Sequence, residues 1–175
     1  MSHLFLAVFV ILSLLAPVST ISAEEFDTSE EEWGFSAILY DNSNGLPTSE
    51  ANAIAQTRNG FIWIGGYSGL IRYDGNDFYR FDSSMGISSV MSLYVDKEDR
   101  LWIGTNDNGA AVYDNGQIRY FGKADGLISL SVRAIAEDAF GNIVLATTQG
   151  MAYIDDNYEL HMIEDSGIEK SLCAG

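Results

Sequence analysis

Apolar residues in this chain fall in short runs broken by Gly, Asn and Asp, and the runs return at a fixed interval. The stretch Gly60-Phe-Ile-Trp-Ile-Gly-Gly-Tyr-Ser-Gly-Leu-Ile-Arg-Tyr-Asp-Gly75 shows the unit. Its two β-rich runs, Phe61–Ile64 and Leu70–Tyr73, are divided by glycine and closed by the turn pair Asp74-Gly75. Runs this short between turn signals predict a hairpin rather than a helix.

The unit is repeated. Gly60-Phe-Ile-Trp-Ile-Gly aligns with Asp99-Arg-Leu-Trp-Ile-Gly and with Gly141-Asn-Ile-Val-Leu-Ala. Trp63, Trp102 and Val144 form one column; Gly65, Gly104 and Ala146 form another. Upstream stand Gly45, Gly86 and Gly126, with Gly167 opening a fourth copy, at separations of 41, 40 and 41 residues. Each copy holds four strand patterns. The first is Ala51–Gln56, Val90–Asp96 or Val132–Asp138, and the second runs through the Trp column. The third follows Gly69, Gly109 or Gly150, and the fourth is Asp77–Phe81, Gln117–Phe121 or Glu159–Ile163. Four strands per repeat of about forty residues predict an all-β fold, a β-propeller of four-stranded blades.

The blades are expected at about 41–82, 83–122 and 123–164, with a fourth beginning near 165, so the partial propeller covers 35–175. Closed propellers hold about four to eight blades, so three and a fraction imply the front part of a longer ring. Phe35–Tyr40 stands at the same distance before Gly45 as Phe81 does before Gly86. It reads as an orphan fourth strand whose partner blade lies beyond residue 175.

Ahead of the repeats, Leu4–Ala16 is an apolar run of thirteen, of signal-peptide rather than membrane-spanning length. With small Ala23 before the expected cut, residues 1–23 read as a signal peptide and imply export. Residues 24–34, six of them acidic, read as a solvated tether. Net charge is −16, which disfavours nucleic acid and anionic lipid as partners. Hydrophobic content of 47% excludes disorder. The single cysteine, Cys173, excludes an intrachain disulfide and a cysteine-built metal site. His161 reads as structural or solvated, and no metal or cofactor is expected.

Three segments resemble the two-component regulator propeller repeat: Gly60–Tyr73, Ser92–Thr105 and Val132–Met151. The resemblance spans about residues 45–164 and departs from the repeat at Val144, Ala146 and the one-residue insertion at Asn106–Asn108. It implies a periplasmic or extracellular sensor region of a bacterial transmembrane signalling protein, anchored in the membrane. The remaining blades and an output domain, a histidine kinase or a diguanylate cyclase, would complete it. It is compatible with a homodimer and with an extracellular ligand, carbohydrate among them.

Candidate chemistry is sparse. Trp63, Trp102 and Val144 read as structural core, because they sit inside apolar runs. Asp41–Gly45 and Asn106–Gly109 lack calcium-loop spacing and the terminal bidentate Glu. Glu50, Glu137 and Asp138 show no spacing that predicts convergence, and neither Gly-x-Ser-x-Gly nor His-Glu-x-x-His occurs, so no catalytic residue is assigned. In propellers the loops from strand two to strand three share one end with those joining successive blades. Among the positions there that vary between copies, Tyr67, Asn106, Asp107 and Gln149 are the candidate ligand-binding residues. The alternatives are a secreted propeller enzyme such as a polysaccharide lyase, and a non-catalytic adhesion or scaffold module.

Overall fold

Twelve strands alternate with tight turns, and each group of four closes into its own antiparallel meander. A computed structural model describes residues 37–48, 50–81 and 83–163. The expected signal peptide, the tether and the fourth copy lie outside the described residues. The first sheet is β1 (Ala53–Gln56), β2 (Ile62–Gly66), β3 (Gly69–Tyr73) and β4 (Phe78–Arg80). The second is β5 (Val90–Val95), β6 (Leu101–Thr105), β7 (Ala110–Asp114) and β8 (Gln117–Phe121). The third is β9 (Val132–Glu137), β10 (Ile143–Thr147), β11 (Gly150–Ile154) and β12 (Leu160–Ile163). The connectors between sheets carry single 3-10 turns at Ser83–Met85 and Lys123–Asp125. Among the described residues no helix is long and apolar enough to cross a membrane.

The register explains which residues point where. Trp63 stands opposite Ala55 and Arg72, Trp102 opposite Tyr94 and Val112, and Val144 opposite Ala136 and Tyr153. Cross-strand partners share a face, so one turn of pleat decides the whole set. Trp63, Leu70 and Phe81 of the first sheet meet Leu101, Ile103 and Ala111 of the second. On the other side of the second sheet, Trp102, Val112 and Phe121 meet Ile143, Leu145, Ala152 and Ile154 of the third. Each such side chain removed from water contributes roughly 1.5–3 kcal/mol.

The second sheet is therefore covered on both faces. All five residues of β6 are buried, whereas β2 and β10 alternate buried and half-buried. The first strands β1, β5 and β9 are neighbours, and β2 meets β5 as β6 meets β9. The sheets thus fan like blades from the side of their first strands. Blade packing is closest at the glycine column. A Cβ on Gly65 would fall 2.3 Å from Val90 Cγ1 of the second sheet, and one on Gly104 would fall 2.9 Å from Val132 Cγ1 of the third.

One expectation is revised. Val144 shares the tryptophan column, yet it is only half-buried. Its strand neighbours Ile143 and Leu145 carry the core, because they face the second sheet while Val144 faces away. No strand is assigned over 37–40, the described part of the segment Phe35–Tyr40, and the partner blade expected for that segment lies outside the described residues. The chain divides into units Met1–Leu39 and Tyr40–Gly175. Within the second unit the Tyr40 ring lies 5.7 Å from Tyr73 and 5.2 Å edge-on from Phe78.

Candidate functional site

In an antiparallel meander the turns alternate between two ends, and the candidate residues all fall at one of them. Tyr67-Ser68, Asn106–Asn108 and Thr148-Gln149 each cap the hairpin from second to third strand. Hydroxyls and a guanidinium hold these turns. Thr105 Oγ1 donates to Gly109 O at 2.9 Å, and Thr147 Oγ1 donates to Gly150 O at 2.7 Å. Arg80 Nη2 donates to Ser68 O at 2.7 Å.

The inter-sheet connectors lie against the same turns. The Asn106 N–H donates to Ser89 O at 2.9 Å, and the Thr148 N–H donates to Ser131 O at 3.1 Å. Ser131 Oγ reaches Asn106 Oδ1 of the preceding sheet at 3.5 Å. Asn108 Nδ2 donates to Gly86 O and to Ser88 Oγ, both at 3.2 Å. A recess of about 400 Å³ opens beside this connector, lined by Ser84, Met85, Gly86, Asn108 and Tyr120. Tyr120 closes its wall by donating to Met85 O.

The four candidates are exposed at this end, Tyr67 at 59%. Asn106 and Asp107 are adjacent in one turn, and Asn106 is tied to the third sheet through Ser131. Tyr67 and Gln149 belong to the first and third sheets, and among the described residues no hydrogen bond or ring contact joins them to that pair. Such a rim offers dispersed polar groups and one aromatic face, suited to binding a polar ligand and lacking a grouped acid and base.

The opposite end is built by aspartates. Asp96, buried at the turn between β5 and β6, accepts the Glu98 and Arg100 N–H groups through Oδ1, both at 2.9 Å. Its Oδ2 accepts Arg100 Nε at 2.6 Å and the Trp102 indole N–H at 2.7 Å. Burial pushes the carboxyl up. The Trp102, Arg100 backbone and Arg100 side-chain hydrogen bonds outweigh it and hold the group below its usual range. In the first sheet Thr57 takes this place, accepting the Trp63 indole N–H at 3.0 Å. In the third, Asp138 accepts the Phe140 and Asn142 N–H groups at 2.8 and 2.9 Å. Its own carboxyl is lowered chiefly by Asn142.

One grouping escaped the sequence reading. Asp155, Glu159 and His161 bring donor atoms within 4.8 Å of one another. Asp155 Oδ1 accepts the Asn157 and Glu159 N–H groups, and Oδ2 meets His161 Nε2 at 3.1 Å. The His161 ring stacks on Tyr153 at 4.8 Å. The signal was the spacing Asp155-x-x-x-Glu159-x-His161 at the last hairpin. The carboxylate is already engaged with its own turn, which fits a structural role.

Comparison with known proteins bears on this arrangement. Residues 45–68 and 84–107 match the two component regulator propeller family. No curated protein matches the chain. Among solved structures, the chain is similar to the extracellular domain of a hybrid two component system from B. thetaiotaomicron. Identity is 26% over 73% of this chain and 19% of that one, with a TM-score of 0.67. It is also similar to virginiamycin B lyase from Staphylococcus aureus, at 16% identity over 67% of this chain and 42% of that one, TM-score 0.52. A third likeness is to PorZ, a surface component of the type-IX secretion system of Porphyromonas gingivalis. It has 17% identity over 69% of this chain and 18% of that one, TM-score 0.50. The last two show the β-propeller fold alone. The chain spans about a fifth of the B. thetaiotaomicron domain it matches. Residues 45–68 and 84–107 are thus similar to two component regulator propeller repeats, and the sheets they fall in fold as β-propeller blades.

Proposed function

We propose that this chain is part of an exported sensor propeller from a bacterial transmembrane signalling protein. It binds an extracellular ligand or partner at the rim of β2–β3 turns and passes the signal to an output domain of kinase or cyclase type. The observation that carries this reading is the coincidence of the two family repeats with the first two blades, together with the likeness to an extracellular two-component domain. The rim supports it chemically. Asn106, Asp107 and Gln149 supply hydrogen-bonding groups, and Tyr67 supplies a ring face on which a sugar can stack. These positions differ from blade to blade, while the residues beneath them repeat. The reading assigns no catalytic step to the chain.

Two measurements test it. Calorimetric titration of the purified chain with an oligosaccharide panel is expected to find saturable binding that Asn106→Ala with Asp107→Ala removes, without a change in the thermal transition. Chemical conversion of a bound sugar would replace sensing with a secreted enzyme. The DNA that continues the reading frame supplies the second test. An apolar run of about twenty residues followed by a kinase or cyclase signature agrees with sensing, and a stop directly after the last blade overturns it.

A further inference from the structure

The repeat allows the two gaps between blades to be compared position by position, at the end opposite the rim. In the second gap, Tyr158 from the turn between β11 and β12 lies over Trp102 at 6.3 Å and stacks on Phe121 at 6.2 Å. Its hydroxyl accepts Arg100 Nη1 at 3.0 Å. Arg100 in turn is held by Asp96 and by Glu98, the latter at 2.9 Å. A ring and a guanidinium, both supplied by the chain, fill this gap.

In the first gap neither filler is present. Phe61 occupies the column of Arg100, so that guanidinium is absent, and Arg72, which shares the face of Trp63, lies over the Phe61 ring instead. The turn between β7 and β8 is only Asn115-Gly116, both at positive φ of 47° and 89°, and it is too short to carry a side chain to the place of Tyr158. Tyr113 covers Trp63 from the strand instead, at 5.0 Å, and meets Phe81 edge-on at 5.7 Å. The aromatic trio is thus kept, but the space at the level of the turn stays open. It is a cavity of about 320 Å³. Phe61, Trp63 and Tyr113 form its apolar walls, and Glu98, Asp99 and Asp114 its acidic ones. Among the described residues no Lys or Arg lines it.

The nearby cations are committed elsewhere. Arg72 lies over the Phe61 ring at 4.5 Å, Arg100 pairs with Glu98, and the Arg58 guanidinium donates to Lys97 O. Asp99 uses Oδ1 to accept the Arg58 N–H at 2.8 Å. Asp99 also holds a positive φ of 68° at a position where the other two blades use Gly60 and Gly141. A carboxylate is therefore kept at the mouth of this cavity in a conformation that glycine adopts more readily.

We propose that the cavity between the first two blades binds a small organic cation, a guanidinium or primary ammonium on a short apolar stem. The stem lies along the half-buried rings of Tyr113 and Phe61, and the charged head meets Asp99 and Asp114, as Arg100 meets Asp96 in the next gap. The site lies at the end of the blades opposite Tyr67, Asn106, Asp107 and Gln149, so it is independent of the rim and of the reading given for it.

Isothermal titration of the full chain with agmatine, N-acetyl-argininamide and N-acetyl-lysinamide, against neutral N-acetyl-citrullinamide, tests the assignment. The expected result is saturable binding of at least one cation below about 10 mM and none of the neutral analogue. Binding of agmatine without the argininamide assigns a free amine; binding of both admits an arginine side chain of a peptide. The variant Glu98→Gln, Asp99→Asn, Asp114→Asn keeps the size of each side chain and the acceptor for Arg58. It is expected to weaken binding by about tenfold or more while the near-UV spectrum of the tryptophans is unchanged. Absence of saturable binding, equal binding of the citrulline analogue, or full binding by the triple variant would each overturn the proposal.

Discussion

Val132, the first residue of β9, presses against Gly104 of the preceding blade so closely that a Cβ on the glycine would lie 2.9 Å from Val132 Cγ1. Val90 stands in the same relation to Gly65, at 2.3 Å from such a Cβ. The repeat thus puts a branched side chain from each first strand into the hollow that glycine leaves in the sheet before it.

Gly104→Ala is expected to destabilise the chain by about 1–3 kcal/mol, because the backbone of β5 and β9 limits relaxation. Ala146→Gly, the same column on the face of the third sheet turned away from the second, should cost under about 1 kcal/mol. Urea denaturation of both variants measures the contrast; equal effects would remove the close-packing argument.

Trp63→Ala and Trp102→Ala remove fully buried rings and should each cost about 3–5 kcal/mol. Val144→Ala, from a half-buried site, should cost under about 1 kcal/mol. Parity of Val144 with the tryptophans would show that its face is covered in solution.

Asp96 has a lowered native pKa, so its contribution is present above the unfolded value of about 3.9 and is lost as pH falls through the native one. Stability is expected to drop below about pH 4 for this reason. In Asp96→Asn that acid limb should flatten, and Asp96→Ala, which strands Arg100 and the Trp102 N–H, should cost about 3–5 kcal/mol at neutral pH. Thermal unfolding followed across pH checks the sign.

Tyr158 combines useful packing with a positive φ of 62°. Tyr158→Ala loses the ring contacts and keeps the strain, whereas Tyr158→Gly loses the contacts and relieves it. The glycine variant should be the more stable of the two by about 1–2 kcal/mol. The reverse order in denaturant midpoints would place Tyr158 outside the left-handed region.

Much of the fold was legible because it is written twice or more. Alternation within Val90–Val95 and Val132–Glu137 marks strands, and the recurrence of Trp63 as Trp102 marks blades. The rim candidates could be placed at one end for the same reason, since antiparallel topology puts every second turn there. The cavity beside Tyr113 was not legible. It depends on the short Asn115-Gly116 turn, a legible hairpin signal, leaving one gap open and on Tyr158 reaching into the other, which has no local signature.

The amino-acid sequence by itself determined the strands, their turns, the four-strand period and the kinship of the repeats, all of which rest on interactions among residues near one another along the chain. The tertiary structure alone decided which face of each sheet is covered. Val144 and Trp102 share a column, yet a neighbouring blade buries the second and leaves the first half-exposed. Burial is a property of what stands opposite, and a residue's own position in the repeat does not contain it.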